Sequence, residues 1–173
     1  MPTILPNWHP ITIHFAIGLL IASTALMLIA SVGRRQAWGR AAAVVAHWNL
    51  ALGIVAASAA LATGWYAYNT VTHDDPSHAN MVVHLRWALA ATAAYALVAL
   101  LALLGRRRPT GPSPVAAVAS IAAAAVLVVT AFYGGENVYR YGLGVMALPD
   151  QDHHHHDMAM PSDMSRADHK HAE

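Results

Sequence analysis

Four long apolar runs dominate the chain, at residues 11–32, 41–66, 81–104 and 115–133. Polar and charged residues gather between these runs and do not alternate with apolar ones inside them. A helix needs about 20 apolar residues to cross a hydrocarbon core about 30 Å thick, and each run is about 19 to 26 residues long. Helices are the only solution for such runs, because lipid offers unpaired backbone groups no partner. The pattern therefore predicts an all-α integral membrane fold with four transmembrane helices. The connections are short, so neighbouring helices run antiparallel in an up-down four-helix bundle.

The boundaries fit helix chemistry. Pro10 suits a first helical turn. Asp75-Pro76-Ser77 offers an N-cap and a first-turn proline for the third span. Gly105 and Pro109 end that span, and Gly111-Pro112-Ser113-Pro114 reads as a turn. Asn49, Gly53, Ala57, Ala60 and Gly64 fall on one stripe of the second span, where a neighbouring helix can approach closely. Two regions follow: a membrane domain over 1–149 and a polar tail over 150–173, which has no apolar period and is expected to be disordered.

Composition narrows the function classes. Hydrophobic residues make up 57% of the chain and charged residues only 11%, whereas soluble domains carry about 25% charged residues. So few charges cannot cover so much apolar surface in water, which excludes an ordinary soluble enzyme. A net charge of +1 gives no electrostatic case for nucleic-acid binding. The absence of cysteine excludes disulfides, thiolate catalysis, iron–sulfur ligation and covalent haem attachment. The chain has no glycine-rich phosphate loop, no Gly-x-Ser-x-Gly and no His-Glu-x-x-His.

Charge also orients the bundle. The first connection holds Arg34, Arg35 and Arg40, and the third holds Arg106, Arg107 and Arg108. The second holds no basic residue but has Asp74 and Asp75. By the positive-inside rule the two arginine loops face the cytoplasm. Both termini and the second loop of this multi-pass chain then lie outside, in the periplasm if the cell has one. The first span should remain as an anchor, because its basic residues follow the apolar run and do not precede it.

The 12 histidines carry the candidate chemistry. Ionisable residues inside a membrane are functional suspects, and the spans hold His14, His47, His84 and Arg86. At about 1.5 Å of rise per residue, His14 and His84 lie at matched depth, roughly 6 Å inside the outer edge. His47 enters from the opposite side. Two histidines at one level of a bundle suit the axial positions of a b-type haem. Gly18, Ala22 and Ala25 follow His14, and Ala88 and Ala91 follow His84, leaving room for a flat macrocycle. Arg86 is the candidate propionate partner. The bland alternative is that these histidines only hydrogen-bond between helices or snorkel to the interface. Trp8, Trp65, Tyr66, Tyr68, Tyr139 and Tyr141 read as an interfacial aromatic belt.

The tail is a second candidate. His153, His154, His155, His156, Met158 and Met160 combine imidazole and thioether donors, which suits copper in both oxidation states. His73, Asp74 and His78 in the second loop lie on the same side.

Two signatures frame the spans. The opening reads His9-Pro10-Ile11-Thr12-Ile13-His14-Phe15. After the last span comes Gly134-Gly135-Glu136-Asn137-Val138-Tyr139-Arg140-Tyr141-Gly142-Leu143-Gly144-Val145. In these stretches the chain resembles the bacterial predicted membrane proteins grouped as domain of unknown function 2231. The resemblance covers about residues 7–146 and implies a four-span membrane domain with a histidine in the third span, matching His84. Because some relatives are joined to Rieske-type domains, it also implies a place in respiratory electron transfer. This chain has Ala16 where relatives tend to have proline, and Tyr141 where a histidine is frequent. It lacks the acidic residue often found near the end of the second span.

The reading that follows is a non-enzymatic membrane module holding one haem b between His14 and His84. It would pass single electrons between quinol or a membrane partner and an acceptor on the outer side. The alternatives are a membrane protein that handles external copper through its His/Met-rich tail, and a structural subunit of a membrane complex.

Overall fold

The computed structural model describes residues 7–105 and 113–145. Four helices account for most of them: α1 (His9–Val32), α2 (Ala37–Thr70), α3 (Asp75–Gly105) and α4 (Pro114–Tyr139). All four are long and apolar enough to cross a membrane. Each contains one of the apolar runs and extends past it, chiefly at the end that holds His9, Thr70, Asp75 and Tyr139. Helix geometry continues there because backbone hydrogen bonding does not stop where hydrophobicity stops; capping residues decide the end.

Those caps are specific. At α1, the Asn7 side-chain oxygen accepts the His9 backbone N–H at 3.0 Å. At α3 the cap is Asp74, one residue before the Asp75 expected from the sequence. The Ser77 N–H donates to Asp74 Oδ1 and the Asp74 N–H donates to Ser77 Oγ, both at 3.0 Å. This reciprocal pair satisfies two backbone donors and leaves Asp75 inside the first turn. Gly142 and Gly144 have φ of 62° and 77°, a left-handed region that suits glycine. They fold the chain after α4 back over the link between α2 and α3. At the opposite end Gly39 packs on the backbone of Gly33, where a Cβ would lie 2.0 Å from the Gly33 carbonyl oxygen.

α1 packs along α2, and α3 along α4, as two hairpins; the hairpins meet through α1 against α4 and α2 against α3. α1 and α3 are therefore diagonal across the bundle. The buried positions recur at helical spacing: Ala16, Leu20 and Met27; Ala46, Leu50, Ala57 and Ala60; Ala91, Tyr95 and Val98; Ala123 and Leu127. Gly53 admits Leu20, since a Cβ there would stand 2.7 Å from Leu20 Cδ2. The opposite faces are just as apolar, with Phe15, Val55, Leu104 and Val118 each more than 60% exposed. A helix apolar all round needs lipid or protein on every side, and the outer faces here have no protein cover. The chain is an integral membrane protein.

A polar knot locks the centre. Tyr95, fully buried on α3, lies 3.1 Å from Thr24 Oγ1, and its hydroxyl donates to the Leu20 carbonyl at 3.4 Å. Thr24 also reaches the Ser120 carbonyl of α4 at 3.5 Å, while Ser23 donates to the Ala46 carbonyl of α2 at 2.8 Å. All four helices are thus bonded at one level, as expected where hydroxyls supply adhesion that lipid cannot.

Candidate functional site

The two hairpins each carry one imidazole in the same mount. On α1, His9 Nδ1 bonds the Ala60 carbonyl of α2 at 3.0 Å. On α3, His84 Nδ1 bonds the Thr130 carbonyl of α4 at 3.0 Å. A carbonyl only accepts, so in each ring Nδ1 carries the proton and Nε2 keeps its lone pair. In both cases a glycine stands four residues beyond the carbonyl. A Cβ at Gly64 would lie 2.9 Å from His9 Cε1, and one at Gly134 would lie 3.0 Å from His84 Cε1. A side chain at the fourth residue leans back over the carbonyl, so only glycine lets an imidazole reach it from the side.

The two rings meet across the bundle diagonal, with centroids 6.3 Å apart and planes at 79°. Both are partly buried. Supporting bonds surround them. Thr12 and Thr63 pair through their hydroxyls at 2.9 Å, beside His9. On the other hairpin Asn80 donates to the Tyr133 carbonyl at 3.1 Å and to Asn137 Oδ1 at 2.7 Å.

The residue facing His84 is therefore His9, not His14. His14 is exposed, and its Nδ1 bonds the Pro10 carbonyl of its own helix. Among the described residues His14 makes no ring contact. His47 is held in the same way, by Ala43 one turn before it. Arg86 is also exposed, roughly 200° around α3 from His84. Glu136, on α4, pairs with Arg140 at 2.5 Å. The tail donors His153, His154, His155, His156, Met158 and Met160 lie outside the described residues, as do Arg106, Arg107 and Arg108.

His9 belongs to the opening signature, but it precedes the apolar run and so falls outside a search restricted to that run. The signal that identifies it is a pairing: each hairpin has a histidine on its first helix and a glycine near the end of its second.

At the same end, the α2–α3 link carries a separate polar cluster. The His73 and His78 rings stack with centroids 5.1 Å apart. His73 Nε2 lies 3.0 Å from His78 Nδ1, and Tyr68 Oη lies 3.1 Å from His78 Nε2. His73 opens onto a cleft of about 520 Å³ that Asp74, Arg140, Tyr141 and Gly142 also line. The Ser77 hydroxyl, and then its backbone N–H, hold the Asp74 carboxyl below its ordinary pKa. Trp8, Trp65, Tyr66 and Tyr139 are exposed around this end as an aromatic belt, while Tyr68 stacks on Trp65 and Tyr141 lines the cleft.

Among the described residues there is no group of three or more His, Asp or Glu side chains placed to hold a metal ion. A site on His9 and His84 would therefore offer two protein ligands. Comparison with known proteins finds no matching curated protein and no matching solved structure. A match does come from the family described as predicted membrane protein (DUF2231), over residues 6–147, which span all four helices and both signatures. The chain belongs to this membrane protein family.

Proposed function

We propose that this protein is a single-electron carrier of the bacterial inner membrane, with one b-type haem held between His9 and His84. The observation that carries this reading is the paired mounting of the two rings. Metal-ligating histidines usually donate their second ring nitrogen to a carbonyl or carboxylate, which fixes tautomer and orientation. Here both Nδ1–H groups are so engaged, leaving both Nε2 atoms free. The two rings that would hold the group already meet across the bundle, with centroids 6.3 Å apart. Below the pair, the inward positions Ala16, Ala57, Ala60 and Ala91 are all small residues.

When bound, haem would supply a one-electron couple, its potential tuned by the two imidazoles and by burial. The chain's own residues orient the rings and separate the site from the arginine end by the Tyr95 knot. The arginine residues of the first and third connections support, by the positive-inside rule, a cytoplasmic position for that end and an outer one for His9. Electrons would pass to an acceptor on the outer side from quinol or a membrane partner.

The test is the absorption spectrum of full-length protein expressed with ample haem. One haem per chain is expected, with a Soret band that disappears in His9→Ala and in His84→Ala but survives in His14→Ala. A colourless wild type would end the reading. So would a Soret band unchanged in both His9→Ala and His84→Ala.

A further inference from the structure

We infer that His73, in the link between α2 and α3, and His78, in the first turn of α3, together bind one divalent copper ion at the mouth of the cleft. The inference begins with protons. His73 Nδ1 sits 2.7 Å from the Val71 carbonyl, which can only accept, so that nitrogen carries the ring proton. His73 Nε2 is then a bare lone pair aimed at His78 Nδ1, 3.0 Å away. In the metal-free chain His78 fills the gap by placing its own proton on Nδ1, and the Tyr68 hydroxyl donates to His78 Nε2. The alternative tautomer costs no net charge. With the His78 proton on Nε2, donated to the Tyr68 oxygen, two lone pairs face each other across 3.0 Å. That arrangement requires a cation.

The spacing admits a metal ion. Two nitrogens about 2.0 Å from one ion lie roughly 2.8 Å apart at a right angle and roughly 3.3 Å apart at the tetrahedral angle. The 3.0 Å of the hydrogen-bonded pair falls between the two, so one ion can replace the bridging proton with little movement of either ring, and Cu(II) has the highest affinity of the divalent first-row metals for nitrogen donors. Each ring's second nitrogen already has an oxygen partner, Val71 for His73 and Tyr68 for His78, the outer-shell support that ligating histidines use. The cleft beside His73 gives water access to the remaining positions. Binding involves no redox step: Cu(II) replaces the bridging proton, which moves to His78 Nε2 as the Tyr68 hydroxyl turns from donor to acceptor.

The test is titration of Cu(II) alone, followed by electron paramagnetic resonance at neutral pH. The full-length chain is used with His153, His154, His155, His156, His169 and His171 all replaced by alanine, which silences the tail. One copper per chain with nitrogen hyperfine structure is expected. His73→Ala and His78→Ala should abolish it, His73→Gln should confirm the loss with a side chain of similar reach, and Tyr68→Phe should weaken binding about 10–100-fold. His84→Ala should leave the signal unchanged, which separates this centre from the haem reading. A tail-silenced chain that binds no copper would overturn the inference. An identical signal and affinity in both His73→Ala and His78→Ala would do the same.

Discussion

Adding one methyl group at Gly134 tests whether the imidazole mount matters more than the fold around it. In Gly134→Ala the new Cβ would sit 3.0 Å from His84 Cε1, whereas ordinary contact begins near 3.4 Å. The neighbour is the far end of a side chain and not backbone, so the ring yields. It must retreat by roughly 0.4–1 Å to regain normal contact. The 3.0 Å bond to Thr130 then passes about 3.4 Å and ceases to be a useful hydrogen bond. An interhelical bond of this kind in a membrane contributes about 0.6 kcal/mol, and at most about 1.7. Alanine recovers about 1 kcal/mol over glycine inside a helix, so the fold should be almost unchanged. The cofactor should feel the change far more, because losing the outer partner of a ligating histidine lowers affinity about 10–100-fold. Gly64→Ala, 2.9 Å from His9 Cε1, should act in the same way through the other ring. Haem titration followed at the Soret band, beside a thermal melt of the same samples, checks both halves. Wild-type haem affinity in both alanine variants would refute the mounting argument. A collapse in melting temperature would show that the glycines serve packing instead.

Further outcomes follow from the rest of the bundle. Tyr95→Phe removes the hydroxyl shared by Thr24 and Leu20 and should lower stability by about 0.6–1.7 kcal/mol without changing helix content, measured by unfolding in detergent. Gly53→Leu forces a side chain into Leu20 and should cost about 1–3 kcal/mol by the same assay, where an unchanged melt would contradict the close approach of α1 and α2. The Asp74 carboxyl is held below its ordinary pKa by Ser77, so its cap is fully formed above the unfolded value, near 3.8, and is lost as pH falls through the lower folded value. Amide exchange at Ser77 should therefore accelerate, beyond the intrinsic rate change, only in strongly acidic buffer, and Asp74→Ala should remove that pH dependence.

The spans are legible because lipid imposes the most uniform constraint on a sequence: apart from His84, Arg86 and Thr92, the residues of 81–104 are apolar or aromatic, whichever side they face. The same uniformity hid the inward faces. Helices apolar all round give no moment to orient, so nothing in the pattern set Tyr95, fully buried, apart from Leu97, which is half exposed. Depth along a span was readable from residue count, and that is why His14 and His84 stood out together. Azimuth was not readable. His14 turns out to face outward, and the partner of His84 is the first residue of α1, set by a cap and a proline that extend the helix beyond its apolar run. The glycine stripe of α2 shows the converse. Gly53, Ala57 and Ala60 are buried as expected, because small residues at helical spacing specify both a face and a close approach.

Each imidazole is bonded within its own hairpin, His9 to α2 and His84 to α4, and among the described residues no hydrogen bond joins the two rings directly. Their separation is thus governed by how the hairpins pack, and the hairpins share less contact with each other than the helices within each do. A group ligated by both rings would add a cross-link to two halves whose hydrogen bonds to each other, among the described residues, lie at the level of Tyr95 and between Tyr68 and His78. Ligand binding to the folded state stabilises it by about 2.7 kcal/mol at a free concentration 100 times Kd. Haem-loaded protein should therefore melt well above haem-free protein. The gain should be largest in Tyr95→Phe, where the central bond between the halves is already weakened. Equal melting of loaded and haem-free chains, with haem demonstrably bound, would mean that the group binds the unfolded chain as tightly as the folded one, so that its site does not depend on the two hairpins meeting. His9 and His84 would then not share it.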